Sequence, residues 1–117
     1  MRNLKDRTKQ FAVDCWKFCA QLPHSREYNA YVNQLIRSSS SVGANYRAAQ
    51  RAKSNADFIN KLKIVEEEAD ESMYFLEILI EVLDNDVEKA KILHAECNEI
   101  ISIIVSAINT TKRKINK

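Results

Sequence analysis

The chain has 117 residues, 18 of them Lys or Arg and 16 Asp or Glu, for a formal charge of +2, with one Gly and one Pro. That length predicts one domain, residues 1–117, whose core needs neither disulfides nor metal. So little turn chemistry argues against sheets and for long helices.

Apolar and small residues recur at alternating spacings of three and four along four segments. The first, over about residues 3–22, carries Leu4, Thr8, Phe11, Cys15, Phe18 and Leu22, with Thr8 the polar exception. Pro23 disfavours helix at Leu22, and Ser25 is placed to cap the next helix. The second, about 26–53, carries Tyr28, Val32, Leu35, Ser39, Val42, Tyr46 and Ala49. Ser54-x-x-Asp57 resembles a capping box and opens the third, about 55–83, with Phe58, Leu62, Val65, Ala69, Ser72, Leu76, Leu79 and Leu83. Asp84-Asn85-Asp86 is expected as its last turn, and Asn85-x-x-Glu88 as the cap of the fourth, about 86–115. That helix carries Val87, Ala90, Leu93, Cys97, Ile100, Ile104 and Ile108. Short connections between long helices predict an all-α, antiparallel up-down-up-down four-helix bundle.

Tyr74, Phe75, Ile78 and Val82 flank or oppose the third stripe, and Ile103 and Val105 the fourth. A helix apolar nearly all round buries more than one face, so these six predict a self-association surface. Gly43 costs about 1 kcal/mol relative to Ala in mid-helix. With Ser38, Ser39, Ser40, Ser41 and Ala44 it predicts a close helix approach.

Three cysteines, Cys15, Cys19 and Cys97, lie in apolar stripes, which fits a reducing compartment better than a disulfide framework. No apolar run follows the charges at Arg2–Lys9, so a signal peptide is not expected. The stretches Met73–Leu83 and Ile100–Ile108 are short for a bilayer span and are interrupted by Glu77, Glu81, Ser102 and Ser106. A soluble cytoplasmic protein without a membrane role is the expectation.

The string Arg37-Ser38-Ser39-Ser40-Ser41-Val42-Gly43-Ala44-Asn45, with Leu22-Pro23, Asp57-Phe58-Ile59 and Leu62-x-Ile64, resembles the bacterial four-helix-bundle proteins encoded in intervening sequences of 23S ribosomal RNA genes, the S23 ribosomal protein family. Where many members carry a Glu-Gly step this chain has Ala48-Ala49, which looks like a subgroup. The resemblance implies a homopentamer with no established enzymatic or ribosomal role. Accessory proteins of diversity-generating retroelements, which work with a reverse transcriptase and nucleic acid, are similar in fold, and fold alone does not fix function.

Charge is sorted along the chain. Residues 26–53 hold five basic and one acidic side chain, residues 54–84 nine acidic and two basic. In an antiparallel hairpin Arg37 then approaches Glu71, and Arg51 approaches Asp57. Thirteen cations, Arg2, Lys5, Arg7, Lys9, Arg47, Arg51, Lys53, Lys61, Lys63, Lys112, Arg113, Lys114 and Lys117, fall in segments that the bundle brings to one end. Cations at the end of the fourth helix complement its dipole, but those at the start of the first do not. Residues placed against a local preference are candidates for function. The expected function is a non-enzymatic homo-oligomeric scaffold or accessory protein, binding RNA or DNA backbone through this basic pole, with a nucleic-acid enzyme as a further partner. The alternative is a protein–protein interaction module without a nucleic-acid role.

Cys15-x3-Cys19 and His94-x2-Cys97 each put two ligand types on one helix face, so a Cys3His zinc site is conceivable. Core filling accounts for the same cysteines, and no metal or cofactor is expected. Neither histidine has the glutamate that a di-iron bundle needs three residues earlier. The serines lack a neighbouring base, so no catalytic constellation is legible.

Overall fold

The computed structural model describes residues 3–116, which form helices α1 (Leu4–Ala20), α2 (Arg26–Gln50), α3 (Asn55–Val82) and α4 (Val87–Ile115). Three of the four starts are set by one side-chain oxygen each. Asn3 Oδ1 accepts from Asp6 N–H at 2.9 Å, and Ser25 Oγ and Ser54 Oγ accept from Tyr28 and Asp57 N–H at 3.1 Å. The Asp57 carboxylate reaches back to the N–H of Lys53 rather than Ser54.

Two ends come earlier than the stripes predict. Pro23 stops α1 at Ala20, and Gln21 and Leu22 close it with i→i−3 bonds to Phe18 and Cys19. Arg51 and Ala52 tighten the end of α2 in the same way, so it stops at Gln50 instead of Lys53. Asp84–Asp86 is a connection rather than the last turn of α3, because Leu83 is already extended at φ −75°, ψ 137°. The expected Asn85–Glu88 cap does not form. The N-cap is Asp86, left-handed at φ 63°, which reverses the chain in very few residues and makes no side-chain cap bond. Asp is among the few non-glycine types that tolerate this region.

Each helix runs antiparallel to the next, and α4 closes on α1. The result is an all-α four-helix bundle of 52 × 23 × 20 Å. Its core is the set of stripes read from the sequence, with Phe11, Leu35, Leu62, Leu76, Leu79, Ile100 and Ile104 fully buried. Phe58 is half-buried, and Ile59 takes the inward place at that level. By length and composition α4 alone among the described helices is long and apolar enough to cross a membrane. Here Ala90, Leu93, Cys97, Ile100, Ile104 and Ile108 face the core.

Small residues set the helix spacing. Ser38, Ser39 and Ser72 are fully buried. Ser72 Oγ lies 2.8 Å from Ser38 Oγ across the α2–α3 seam and 2.9 Å from Glu68 O, and Ser38 Oγ donates to Leu35 O, so both buried hydroxyls are satisfied. A Cβ on Gly43 would stand 3.3 Å from Thr8 Oγ1 and 3.5 Å from Thr8 C and O. That is the predicted close approach, and it joins α1 to α2. Thr8, the polar exception of its stripe, is 1% exposed and donates to Lys5 O at 3.1 Å.

Candidate nucleic-acid interface

The contacts that fix helix register also fix which cations meet. Thr8 stands beside Gly43, Arg37 beside Glu68 and Glu71, and Cys97 beside Ala69. Continuing each antiparallel register at 1.5 Å per residue puts Lys5, Arg47 and Lys63 at one level. Arg51 then lies about one turn further out, with Lys53 beyond it, and Lys112–Lys114 lie about two and a half to three turns out, around the α2–α3 connection. The cations therefore form a band over roughly 20 Å of the long axis rather than a cap. Arg2 and Lys117 lie outside the described residues.

Two of the thirteen are engaged elsewhere. The Arg7 fork grips Glu96, with Nε–Oε2 3.1 Å and Nη2–Oε1 2.6 Å, and reaches Glu99 at 3.3 Å. The hydrogen bond to Glu96 raises the Arg7 pKa further, so this cation is committed to the α1–α4 seam. Lys61 pairs with Asp57 at 2.7 Å. That bond, with the N–H of Lys53, holds the Asp57 carboxyl below its usual range, so Asp57 meets Lys61 and not Arg51. Lys63 is exposed but lines a shallow groove with Glu66, Glu67 and Asp70, which weakens its field.

Lys5, Lys9, Arg47, Arg51, Lys53, Lys112, Arg113 and Lys114 are exposed, and none makes an ion pair among the described residues. Outside the band the pattern reverses. Arg26, Arg37, Lys89 and Lys91 each have a carboxylate within 4.0 Å, and only Lys17 has none among the described residues. The Arg37–Glu71 pair is the predicted α2–α3 contact and, being exposed, adds little to stability.

Of the predicted association surface, Tyr74, Val82 and Ile103 are exposed at 59%, 51% and 40%. Phe75, Ile78 and Val105 are half-buried. Phe75 is partly used within the bundle, its ring centroid 6.2 Å from that of Tyr31. Ile64, Ile92 and Trp16 are also exposed and were not singled out by periodicity. Ile64 shares the outer face of α3 with Tyr74, Ile78 and Val82.

The conceivable zinc ligands do not assemble. The His94 ring turns to Glu77 on α3 at 2.9 Å, and Cys97 Sγ donates to Ala69 O at 3.1 Å. Among the described residues no three metal-ligating side chains cluster. Burial pushes the thiols up, Cys19 to about 11 and Cys97 to about 12, with Cys15 raised further for the same reason.

Fold and surface define an antiparallel four-helix bundle with a basic band and an apolar outer face. The sequence matches the family described as 23S rRNA-intervening sequence protein over residues 3–106, and the chain belongs to that family. A crystal structure of a protein of unknown function from the S23 ribosomal protein family of Bacteroides thetaiotaomicron VPI-5482 is similar to it. The two are 36% identical, with 91% of this chain and 98% of that one covered and a TM-score of 0.83. No curated protein matches the sequence.

Proposed function

We propose that this is a non-enzymatic, cytoplasmic, homo-oligomeric accessory protein whose basic band engages the phosphate backbone of nucleic acid. The observation that carries this reading is the contrast in pairing. Cations elsewhere on the bundle are nearly all matched by carboxylates, whereas most of those at this end are not. Such a surface attracts phosphates by releasing condensed counterions, without reading sequence.

The test is fluorescence anisotropy with labelled RNA and DNA over a range of salt. Affinity is expected to fall linearly on a log–log plot, by about 0.9 per duplex phosphate neutralised, and to ignore sequence. Arg51→Gln/Lys53→Gln/Arg113→Gln should bind more weakly with a shallower slope. An absence of binding at moderate salt sinks this reading.

Exposed Tyr74, Val82, Ile64 and Ile103 favour the self-association part, and the family resemblance implies five copies. Placing charge in an apolar contact that must desolvate opposes association. Tyr74→Lys/Val82→Lys should therefore lower the sedimentation coefficient to that of a monomer while leaving helical circular dichroism unchanged. A wild-type protein that sediments as a monomer at micromolar concentration removes the oligomer from the proposal.

A further inference from the structure

Two flanks of α1 differ. One, with Arg7 and Gln21, is tied to Glu96, Glu99 and Lys89 of α4. The other faces α2 across a trough of about 240 Å³. Ala12, Ser40, Gly43 and Ala44 line it, small residues that leave room where larger side chains would fill it. Its rims carry Lys5 and Lys9 on α1 and Arg47 on α2, and no carboxylate lines it. A second trough, on the α4 side of α1, mixes Asp14 with Lys17 and Lys89.

Trp16 extends this basic flank. Lys5, Lys9, Ala12 and Trp16 follow one another at spacings of four, three and four, which places them in one row on the helix. The row runs about 16 Å along α1. Trp16 is the chain's single tryptophan and is 60% exposed. A lone exposed apolar residue needs no explanation, but an indole in line with two cations and a third across the trough is the combination that single-strand binding uses. Cations track the backbone, and an aromatic face takes a base. In a duplex the bases already stack on one another, so only an unpaired base has a face free for the indole.

The geometry points to the α1–α2 flank as a site for single-stranded nucleic acid, its phosphates held by Lys5, Lys9 and Arg47 and one base stacked on Trp16. This rests on the proposed backbone-binding function and names the strand form and the residues that would impose it. Ser40 supplies an exposed hydroxyl to the same trough.

The single tryptophan makes the test direct. A labelled single-stranded RNA 15-mer and the matching duplex are titrated into the full chain, following anisotropy and intrinsic Trp16 emission together. The single strand is expected to quench Trp16 with the midpoint seen by anisotropy, and the duplex to leave emission unchanged. Trp16→Ala should weaken single-strand binding roughly tenfold and leave duplex binding as it was. Lys5→Gln/Lys9→Gln/Arg47→Gln should abolish the quench. Ala44→Leu, which fills the trough without changing charge, should reduce it. These substitutions are at exposed positions, and circular dichroism checks the fold.

Binding by anisotropy with Trp16 emission unmoved, or undiminished in the Lys5/Lys9/Arg47 variant, overturns the single-strand site and leaves the backbone reading intact. Equal quenching by poly-glutamate also overturns it, as that marks a general polyanion surface. No binding of any nucleic acid removes both.

Discussion

Above pH 9 the bundle is expected to lose stability steeply, by up to about 4 kcal/mol per pH unit. The cause is three thiols buried in the core. Cys15, Cys19 and Cys97 are 0%, 6% and 0% exposed, and burial pushes Cys19 to about 11 and Cys97 to about 12 against an ordinary 9.0, with Cys15 raised as well. Well below pH 9 the thiols of both the folded and the unfolded chain are largely protonated, and their contribution is fully present. As pH rises past 9 the unfolded chain gives up three protons that the folded chain keeps, and each such proton costs about 1.4 kcal/mol per unit. Two such units come to about 8 kcal/mol, enough to unfold a domain in the lower half of the ordinary range of about 5–15 kcal/mol. Urea unfolding in reductant at pH 8, 9, 10 and 10.5, followed by circular dichroism, measures the slope. Replacing any one of the cysteines with Ala should lower the slope by about a third. A slope unaffected by all three replacements would assign the alkaline loss to tyrosines and lysines. The same burial predicts that iodoacetamide at pH 8 modifies the native chain far more slowly than the urea-unfolded one.

What the sequence discloses and what it withholds divide along a physical line. An apolar stripe specifies which side of a helix faces inward, and the inward residues Phe11, Cys15, Val42, Leu62, Leu76 and Ile104 are buried as their spacing predicts. Ser25 and Ser54 cap as read because N-capping is local chemistry. The Arg37–Glu71 pair follows from antiparallel arithmetic along one hairpin. A stripe does not say which neighbour lies on its left and which on its right. That depends on the hand in which the four helices are wound, a property of the whole bundle. Arg7 looks like a member of the basic end until α4 proves to lie on its flank with Glu96 and Glu99. Trp16 carries no signal in the sequence, and its row with Lys5 and Lys9 gains a meaning only because α2 lies on that flank. Short connections fail for a different reason. The Arg51–Asp57 pairing assumed that hairpin arithmetic extends into the turn, but Lys53 N–H and Lys61 take Asp57 first. The αL conformation of Asp86 has no signal beyond the residue type that tolerates it.

The trough cations and the apolar outer face are different parts of the surface, which would let one bundle associate and bind at once. The trough cations sit on α1 and α2, while the exposed apolar side chains Ile64, Tyr74 and Val82 lie on α3 and Ile103 on α4. An assembly built through the outer faces of α3 and α4 would leave the α1–α2 flank open on every copy. Weak backbone contacts on each copy would then add as effective concentration rather than as new chemistry.

Gly43→Leu is expected to destabilise the bundle by about 3 kcal/mol and to abolish nucleic-acid binding at the trough, whereas Gly43→Ala is expected to change stability by less than about 1 kcal/mol. A Cβ at Gly43 already meets Thr8 Oγ1 at 3.3 Å, with the Thr8 backbone at 3.5 Å. Alanine gains helix propensity of about 1 kcal/mol over glycine, and this is offset by the small shift asked of Thr8, whose hydroxyl is held by Lys5 O. Leucine adds three more carbons against backbone that has no rotamer to escape into. Here α1 must move as a body. It is the shortest helix, at 17 residues, so it has the least packing with which to resist. Moving it away from α2 loosens Phe11, Cys15 and Phe18 in the core and separates Lys5 and Lys9 from Arg47 across the trough. Thermal melts of the two variants, with the single-strand titration on each, separate the effects. If leucine is tolerated as well as alanine, the α1–α2 approach does not set the fold or the trough, and the placement of Lys5 and Lys9 against Arg47 loses its structural basis.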